Sequence, residues 1–308
     1  MHKLTAVDHP GPRSRVRRAE ALPAHIRDLA YWEGQVRWHR LWLAHNDYHR
    51  PILSFLFPRV RPGWRVLDVG AGNGVLALPL EARGCRVTAL EPCRGMQGLL
   101  REESRRRGLA PRQVEVRPWE DLPLTDVAGY DLILACNSLQ VCSSGFEAAF
   151  RKLFAGAPRH VCVISEVSWP RLLKPAGTAG YRLSRLRFYR TESSYVYRHL
   201  GEVAAHLRHR LRRPPTPGEV ADLRRRLVFH QGRWWLPDTA RVGIFWWDRE
   251  DVDRPEEAGY EETGLSLDGA GGSQWRGGRG GGRPREEGPG TLPAAGAGDH
   301  REGTAKQH

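Results

Sequence analysis

Val66-Leu67-Asp68-Val69-Gly70-Ala71-Gly72-Asn73-Gly74 is the stretch that decides the fold. The apolar residues at its start predict a short buried strand over 65–69, and the residues from Gly74 to Ala82 predict a helix. Glycines in the loop between them can adopt positive φ angles and carry no Cβ, so backbone amides can approach a ligand closely. The stretch therefore predicts a strand, a ligand-binding loop and a helix in sequence.

Three residues, Glu91, Val75 and Asp68, indicate which class of ligand the loop binds. Glu91 follows Gly70 by 21 residues, close to the spacing of about 20 at which an acid reaches the hydroxyls of a ribose. A dinucleotide loop wants a third glycine at position 75, where this chain has Val75. Asp68 would repel a pyrophosphate but suits a ligand that carries a sulfonium and an ammonium group. The pattern thus favours S-adenosylmethionine over NAD.

Short apolar runs alternate with helical segments through the middle of the chain. Strands are predicted at 65–69, 86–90, 114–116, 130–135 and 160–165, and helices at 74–82, 94–107 and 146–154. This alternation is typical of βαβ units, which build a parallel sheet with helices on both faces. Residues 228–236 and 241–247 are also strand-like and are expected to form a closing antiparallel pair.

These residues resemble the class I S-adenosylmethionine-dependent methyltransferases, over roughly residues 64–169. The resemblance implies an α/β fold: a doubly wound, mostly parallel, seven-stranded Rossmann-like sheet with a closing antiparallel strand. A helical N-terminal lid and a helical insertion after strand 5 complete the predicted architecture. It also implies a methyl-transferring enzyme with S-adenosylmethionine as its cofactor.

The resemblance assigns roles to individual residues of this chain. It implies that Asp68, Gly70, Ala71 and Gly72 hold the amino-acid part of the cofactor, and that Glu91 and the adjacent Pro92 lie at its ribose. Residues 117–121 resemble the segment beside the adenine, where Trp119 and Glu120 are expected to lie. Many relatives carry an acid at the position of Pro118, and core packing is an equal alternative for Trp119. Asn137, after the fourth strand, is expected either to contact cofactor or acceptor or to cap a turn.

Composition suggests how the chain divides. Residues 1–22 and the Gly/Arg-rich tail, 264–308, are predicted to be disordered, because the tail holds 14 of the 34 glycines and few apolar side chains. Between them we predict one methyltransferase domain, residues 23–263. Its parts are a helical lid (23–60), a cofactor-binding core (61–169), a basic helical insertion (170–227) and closing strands (228–250).

Charge and absent motifs bear on the acceptor. The segment from Arg171 to Arg233 carries 15 basic and four acidic side chains, so RNA methylation is an alternative to a small-molecule acceptor. Neither an N/D-P-P-Y/F motif after the fourth strand nor a suitably placed Pro-Cys pair is present. The scattered histidines at 199, 206, 209 and 230 identify no catalytic base, no metal site is predicted, and the oligomeric state is left open. The absence of a signal sequence and of an apolar span, together with five cysteines in no C-x-x-C pair, leads us to expect a cytoplasmic protein.

Overall fold

The computed structural model describes residues 24–109, 113–166, 172 and 178–250. The N-terminus and the tail that we predict to be disordered lie outside these ranges. The described helices are α1 (Leu29–Leu43), α2 (Arg50–Leu56), α3 (Ala77–Ala82), α4 (Arg94–Arg106), α5 (Leu124–Val127), α6 (Phe146–Ala155), α7 (Leu200–Leu211) and α8 (Pro217–Arg226). The described strands are β1 (Arg65–Val69), β2 (Arg86–Leu90), β3 (Gln113–Glu115), β4 (Leu132–Cys136), β5 (His160–Ser165), β6 (Tyr181–Glu192), β7 (Tyr195–Tyr197), β8 (Val228–His230), β9 (Arg233–Leu236) and β10 (Thr239–Arg249). Within the described ranges, no helix has the length and apolar character needed to cross a membrane.

Seven of these strands form one sheet in the order β3-β2-β1-β4-β5-β10-β6. The first five are parallel to one another, and β10 runs antiparallel to both β5 and β6. The chain reverses direction across the sheet between β1 and β4, so the carboxyl ends of these two central strands open onto a common crevice. The predicted seven-stranded, mostly parallel sheet with an antiparallel closing strand is confirmed.

Helices cover both faces of this sheet because alternate residues of each buried strand point to opposite sides. Val66, Leu132 and Ile244 pack on one face with apolar side chains of α1 to α4. Leu67, Ile133 and their neighbours pack on the other face with α5 and α6. The doubly wound arrangement places the loops after β1, β2 and β4 at the same edge of the sheet.

One prediction about the segment after β5 is wrong in part. We predict a helical insertion over residues 170–227, but Tyr181–Glu192 is the edge strand β6 and Tyr195–Tyr197 is the strand β7. The helices α7 and α8 follow them. The register of β6 against β10 shifts between Trp246 and Trp247. Because of this irregularity the side chains that pack on the same core cluster change from odd to even positions, Tyr181 and Leu183 before it and Phe188 after it. The apolar residues of β6 therefore show no regular two-residue period in the sequence.

The expected closing pair is also different from the observed one. β10 pairs with β6 rather than with residues 228–236, and those residues form the hairpin β8–β9, which joins β7 in a separate three-stranded sheet. Helix α8 begins with a capping box: the Thr216 side chain accepts from the Glu219 backbone amide, and the Glu219 carboxylate accepts from the Thr216 backbone amide. Trp38, Tyr197, Val203 and Leu236 join α1, β7, α7 and β9 in a small core of their own.

Candidate functional site

The glycine loop leaves β1 in a conformation that side chains disfavour. Gly70 has φ +74° and Gly72 has φ +57°, in the left-handed region that glycine adopts without cost. A Cβ on Gly70 would also clash with Cβ of Ser138, whereas the space beside Gly72 is open. Gly70 and Ala71 donate their backbone amides to the carbonyl of Leu90, at 2.8 and 3.0 Å. The loop is thus fixed against the end of β2, and the space beside Gly72 stays open to a ligand.

Glu91 joins the glycine loop to the start of α4. Its Oε2 accepts from the Gly72 amide and its Oε1 from the Cys93 amide, both at 2.8 Å. The side chain is 7% exposed; burial raises the pKa of Glu91, and the two backbone hydrogen bonds oppose that effect. Each carboxylate oxygen can still accept a second hydrogen bond, so this acid both holds the loop and presents lone pairs to a ligand.

Asp68 lies at the end of β1, where it is 2% exposed. Burial, together with the charge of Glu91, raises the pKa of Asp68 to about 7, while a hydrogen bond from the Ala77 backbone opposes the rise. This carboxyl group therefore faces the start of α3 and packs inside the molecule.

A cavity of about 550 Å³ opens at the carboxyl ends of β1, β2 and β4. Seven of the nine predicted site residues line it: Gly70, Gly72, Glu91, Pro92, Trp119, Glu120 and Asn137. Asp68 and Ala71 are buried and do not line it. We call the wall formed by these seven residues and their neighbours the loop side of the cavity.

Trp119 and Glu120 follow β3 in a short 3-10 turn. Trp119 is 2% exposed, belongs to the core beneath α6 and donates its Nε1–H to the Ala149 carbonyl at 3.0 Å. Glu120 Oε1 accepts from the Ser143 hydroxyl at 2.9 Å and from the Ser144 amide at 3.1 Å. Trp119 thus packs in the core and also lines the cavity, so its position is compatible with both predicted roles, core packing and contact with the adenine.

Asn137 connects the end of β4 to the segment that precedes α2. Its Nδ2 donates to the Tyr48 hydroxyl at 2.7 Å, and its Oδ1 accepts from the Glu166 amide at 3.0 Å. Its own carbonyl accepts from Gln140, and its φ of +52° is one that asparagine tolerates better than most residues. Asn137 therefore orders the turn and fixes Tyr48, which also lines the cavity.

Helix α1 lies across the opposite wall of the cavity, which we call the lid side. Tyr31, Gln35, His39 and Trp42 line it at helical spacing. Glu33 holds this helix in place, because its carboxylate accepts from the Arg94 and Gly95 amides at 2.7 and 3.0 Å. These amides begin α4, whose N-cap residue, Cys93, supplies no side-chain hydrogen bond. The lid helix thus caps a core helix three residues after Glu91.

Two histidines on the lid side are site residues that the sequence analysis does not identify. His39 lies within 3.4 Å of Asn73 Oδ1 in the glycine loop, and the His49 ring lies against Trp42 and Tyr48. Burial lowers the pKa of both, that of His49 to about 3 with a contribution from His39. The histidines at 199, 206, 209 and 230 do not line the cavity. Gln35 and His39 share a helix face with Tyr31 and Trp42, so their spacing was an available signal.

Comparison with known proteins finds similarity mainly over the segment from β1 to α6. Residues 66–156 match the family model of a methyltransferase domain. The ubiquinone/menaquinone biosynthesis C-methyltransferase UbiE of Brucella anthropi is 32% identical over 137 residues, which cover 42% of this chain and 52% of that protein. Among solved structures, magnesium protoporphyrin IX methyltransferase from Synechocystis PCC 6803 has 15% identity and a TM-score of 0.49, over 74% of this chain and 98% of that one.

The matched segment contains the glycine loop, Glu91, Trp119, Glu120 and Asn137. Residues 66–156 therefore belong to a methyltransferase domain, in agreement with the predicted class I S-adenosylmethionine-dependent family. S-adenosylmethionine is the cofactor of that class. The chain spans about half the length of the curated relatives that it matches.

Proposed function

We propose that this chain transfers a methyl group from S-adenosylmethionine to a small-molecule acceptor. The observation that carries this proposal is that one cavity is lined by the glycine loop and Glu91 on one side and by the aromatic helix α1 on the other. Its volume of about 550 Å³ is within the usual range of sites for small molecules. The relatives named for ubiquinone/menaquinone biosynthesis support an acceptor of this size.

The residues on the loop side suit the cofactor. The space beside Gly72 is open, and Glu91 has lone pairs for the two ribose hydroxyls after it has bound two backbone amides. We propose that Pro92, Trp119 and Glu120 contact the adenosine part, and that Gly70, Ala71 and Gly72 follow the amino-acid part. Asp68 would act on the amino-acid part through the loop that it supports.

The cofactor, when bound, supplies an activated methyl group on a positively charged sulfur. Displacement from a sulfonium needs no protonation of the leaving group, so this chain would contribute mainly position and exclusion of water. Helix α1 covers the site, and the Asn137–Tyr48 hydrogen bond fixes the wall between loop side and lid side. Burial lowers the pKa of both His39 and His49, which favours their uncharged forms. His49, with a pKa of about 3, is too weak a base for catalysis, so His39 is the better candidate for an acceptor that must lose a proton.

We also propose the wider setting of this activity. The domain extends over about residues 23–263 as predicted, and a cytoplasmic location is supported by five cysteines that are all free thiols. RNA is the alternative acceptor, since Arg182, Arg187 and Arg190 are exposed on the edge strand β6.

Calorimetry with S-adenosylmethionine, followed by transfer of a labelled methyl group into fractionated metabolite and RNA pools, tests the proposal. We expect cofactor binding and a labelled product of low molecular mass. Absence of cofactor binding would contradict the enzyme function, and a label found only in RNA would select the alternative.

A further inference from the structure

Three arginines line the lid side of the cavity, and they come from three different elements. Arg27 ends the 3-10 turn before α1, Arg210 lies in the last turn of α7, and Arg226 ends α8. All three are exposed. Among the described residues, none of their side chains has a carboxylate partner. Three arginines from distant parts of the sequence thus line one cavity.

Neighbouring arginines on the same elements behave differently. Arg212 pairs with Asp28 at 3.1 Å, Arg213 pairs with Glu219 at 2.6 Å, and Arg225 pairs with Asp222. These three do not line the cavity. Asp28, Glu219 and Asp222 are thus engaged by arginines outside the cavity, and among the described residues they leave the charges of Arg27, Arg210 and Arg226 unpaired.

The acids of the cavity do not neutralise these charges. Glu91 and Glu120 belong to the loop side and accept hydrogen bonds from backbone amides there. Glu166 is hydrogen-bonded to Asn137. Asp238 is the remaining carboxylate that lines the cavity, and its Oδ1 accepts from the Thr239 amide at 3.0 Å. Among the described residues, none of these four carboxylates forms an ion pair with Arg27, Arg210 or Arg226, so the three guanidinium groups can pair with a ligand.

The wall next to the arginines is aromatic. Tyr31, Trp42 and Tyr195 line it, and burial raises the pKa of Tyr195 to about 12, so its hydroxyl is neutral and can donate. The positive charge of Arg210, which lines the same cavity, lowers the pKa of Tyr31 and Tyr195 against the effect of burial. Gln35 is 9% exposed, and its Oε1 has no partner within the described ranges. A ligand with a flat, aromatic body would meet aromatic side chains here and polar groups at its edge.

We infer that the lid side binds a methyl acceptor with a flat, aromatic body and an acidic group, a carboxylate or a phosphate, held by Arg210 and Arg226. Guanidinium groups bind both anions through paired charge-assisted hydrogen bonds. This inference rests on the proposed function, because it names the acceptor class for the same cavity. A nucleic acid is the less suitable ligand, because Arg210 and Arg226 line the same cavity as the buried aromatic side chains Tyr31 and Trp42.

The test uses three probes of similar shape: benzoate, phenyl phosphate and the neutral benzyl alcohol. Each is titrated by calorimetry into the full chain saturated with S-adenosylhomocysteine. We expect at least one anion to bind about tenfold more tightly than benzyl alcohol, and the stronger of the two identifies the acidic group. The Arg210→Gln/Arg226→Gln variant should lose this preference.

The control is Arg208→Gln/Arg224→Gln, which removes two arginines from the same two helices but outside the cavity. It should keep the preference for the anion. Equal affinity for anion and alcohol, binding of none of the probes, or an unchanged preference in the Arg210/Arg226 variant would overturn the inference. A chain that fails to bind S-adenosylhomocysteine yet keeps the arginine-dependent anion preference would contradict the proposed function alone.

Discussion

Glu91 shows how one side chain can serve structure and binding together. Its two oxygens take the amides of Gly72 and Cys93, which belong to the glycine loop and to the residue before α4. The acid thus sets the distance between the two segments that we propose to contact the cofactor. The spacing in the sequence predicts that an acid lies here, but only the structure shows that it is already hydrogen-bonded.

We expect Glu91→Gln to weaken S-adenosylhomocysteine binding roughly ten- to hundredfold, because an amide nitrogen cannot accept from a backbone amide and a charge-assisted hydrogen bond is lost. Calorimetry measures the change. Glu103→Gln on α4, whose carboxylate pairs with Arg106 and Arg107 outside the cavity, is the control and should bind like the wild type. Unchanged affinity in Glu91→Gln would contradict a cofactor role for this residue.

His206 is a second residue with a measurable role. It is 2% exposed, stacks on Trp38 and shares a 2.8 Å hydrogen bond between its Nδ1 and the Tyr197 hydroxyl, while its Nε2 has no described partner. Burial, together with Arg210 and His209, lowers the pKa of His206 to about 3. In the unfolded chain its pKa is near 6.5, so the unfolded state takes up the proton first as the pH falls.

The free energy of unfolding should therefore fall as the pH is lowered from about 6 to 4, by up to about 1.4 kcal/mol per pH unit for this histidine. His49 contributes in the same direction, since its pKa is also lowered to about 3. In His206→Phe the slope of unfolding free energy against pH should be smaller than in the wild type. Urea unfolding at several pH values measures both slopes, and equal slopes would exclude this role.

Among the elements, α1 is the one that unites the site. It supplies aromatic residues to the lid side, and it is tied to α4 by Glu33 and by the Arg40–Glu102 ion pair. The two ties differ in kind. Glu33 accepts from backbone amides that otherwise lack partners at a helix start, whereas Arg40 and Glu102 are both about 59% exposed and form a surface pair of small energetic value.

Glu33→Ala should accelerate dissociation of S-adenosylhomocysteine by roughly fivefold, because loss of a helix cap costs about 1 kcal/mol and loosens the lid. Stopped-flow displacement measures the rate. Glu102→Ala breaks the other tie between the same helices and should change the rate little. If both variants dissociate like the wild type, α1 does not control cofactor release.

Some elements could be predicted from the sequence, whereas others could not. β1, β2 and β5 have the predicted limits, because a buried strand beside a glycine loop is specified by adjacent residues. β6 is missed, because the register shift at Trp246/Trp247 interrupts its alternation and arginines mask its apolar face. The helical spacing of His39 indicates that it shares a face with Tyr31 and Trp42, but His49 gains its surroundings only when α1 and α2 fold onto the sheet, and that contact has no local signature.

At the scale of the whole molecule, the main property to explain is the net charge of +13. Many arginines lie on the edge strand β6, where charge is a common protection against pairing with another chain. This explanation of the arginines on β6 requires no nucleic-acid partner. The sequence predicts the excess of charge, but its division between an edge strand, paired surface side chains and a cavity opening requires the fold.

We expect only weak, non-specific RNA binding that disappears as salt is raised towards physiological concentration. The measurement is fluorescence anisotropy with a labelled RNA oligonucleotide at several salt concentrations, with and without S-adenosylhomocysteine. Tight binding that persists at physiological salt and is lost on substitution of Arg182, Arg187 and Arg190 by Gln would instead favour the RNA alternative.

The Glu33 cap has a further consequence for amide hydrogen exchange. The amides of Arg94 and Gly95 donate to Glu33, so they become exchangeable whenever the carboxylate leaves. They should therefore exchange at the rate at which α1 detaches from α4 rather than at the rate at which α4 unfolds. The exchange rate of these two amide hydrogens would thus report the rate at which the lid helix opens. It can be measured in the free protein before any acceptor is known.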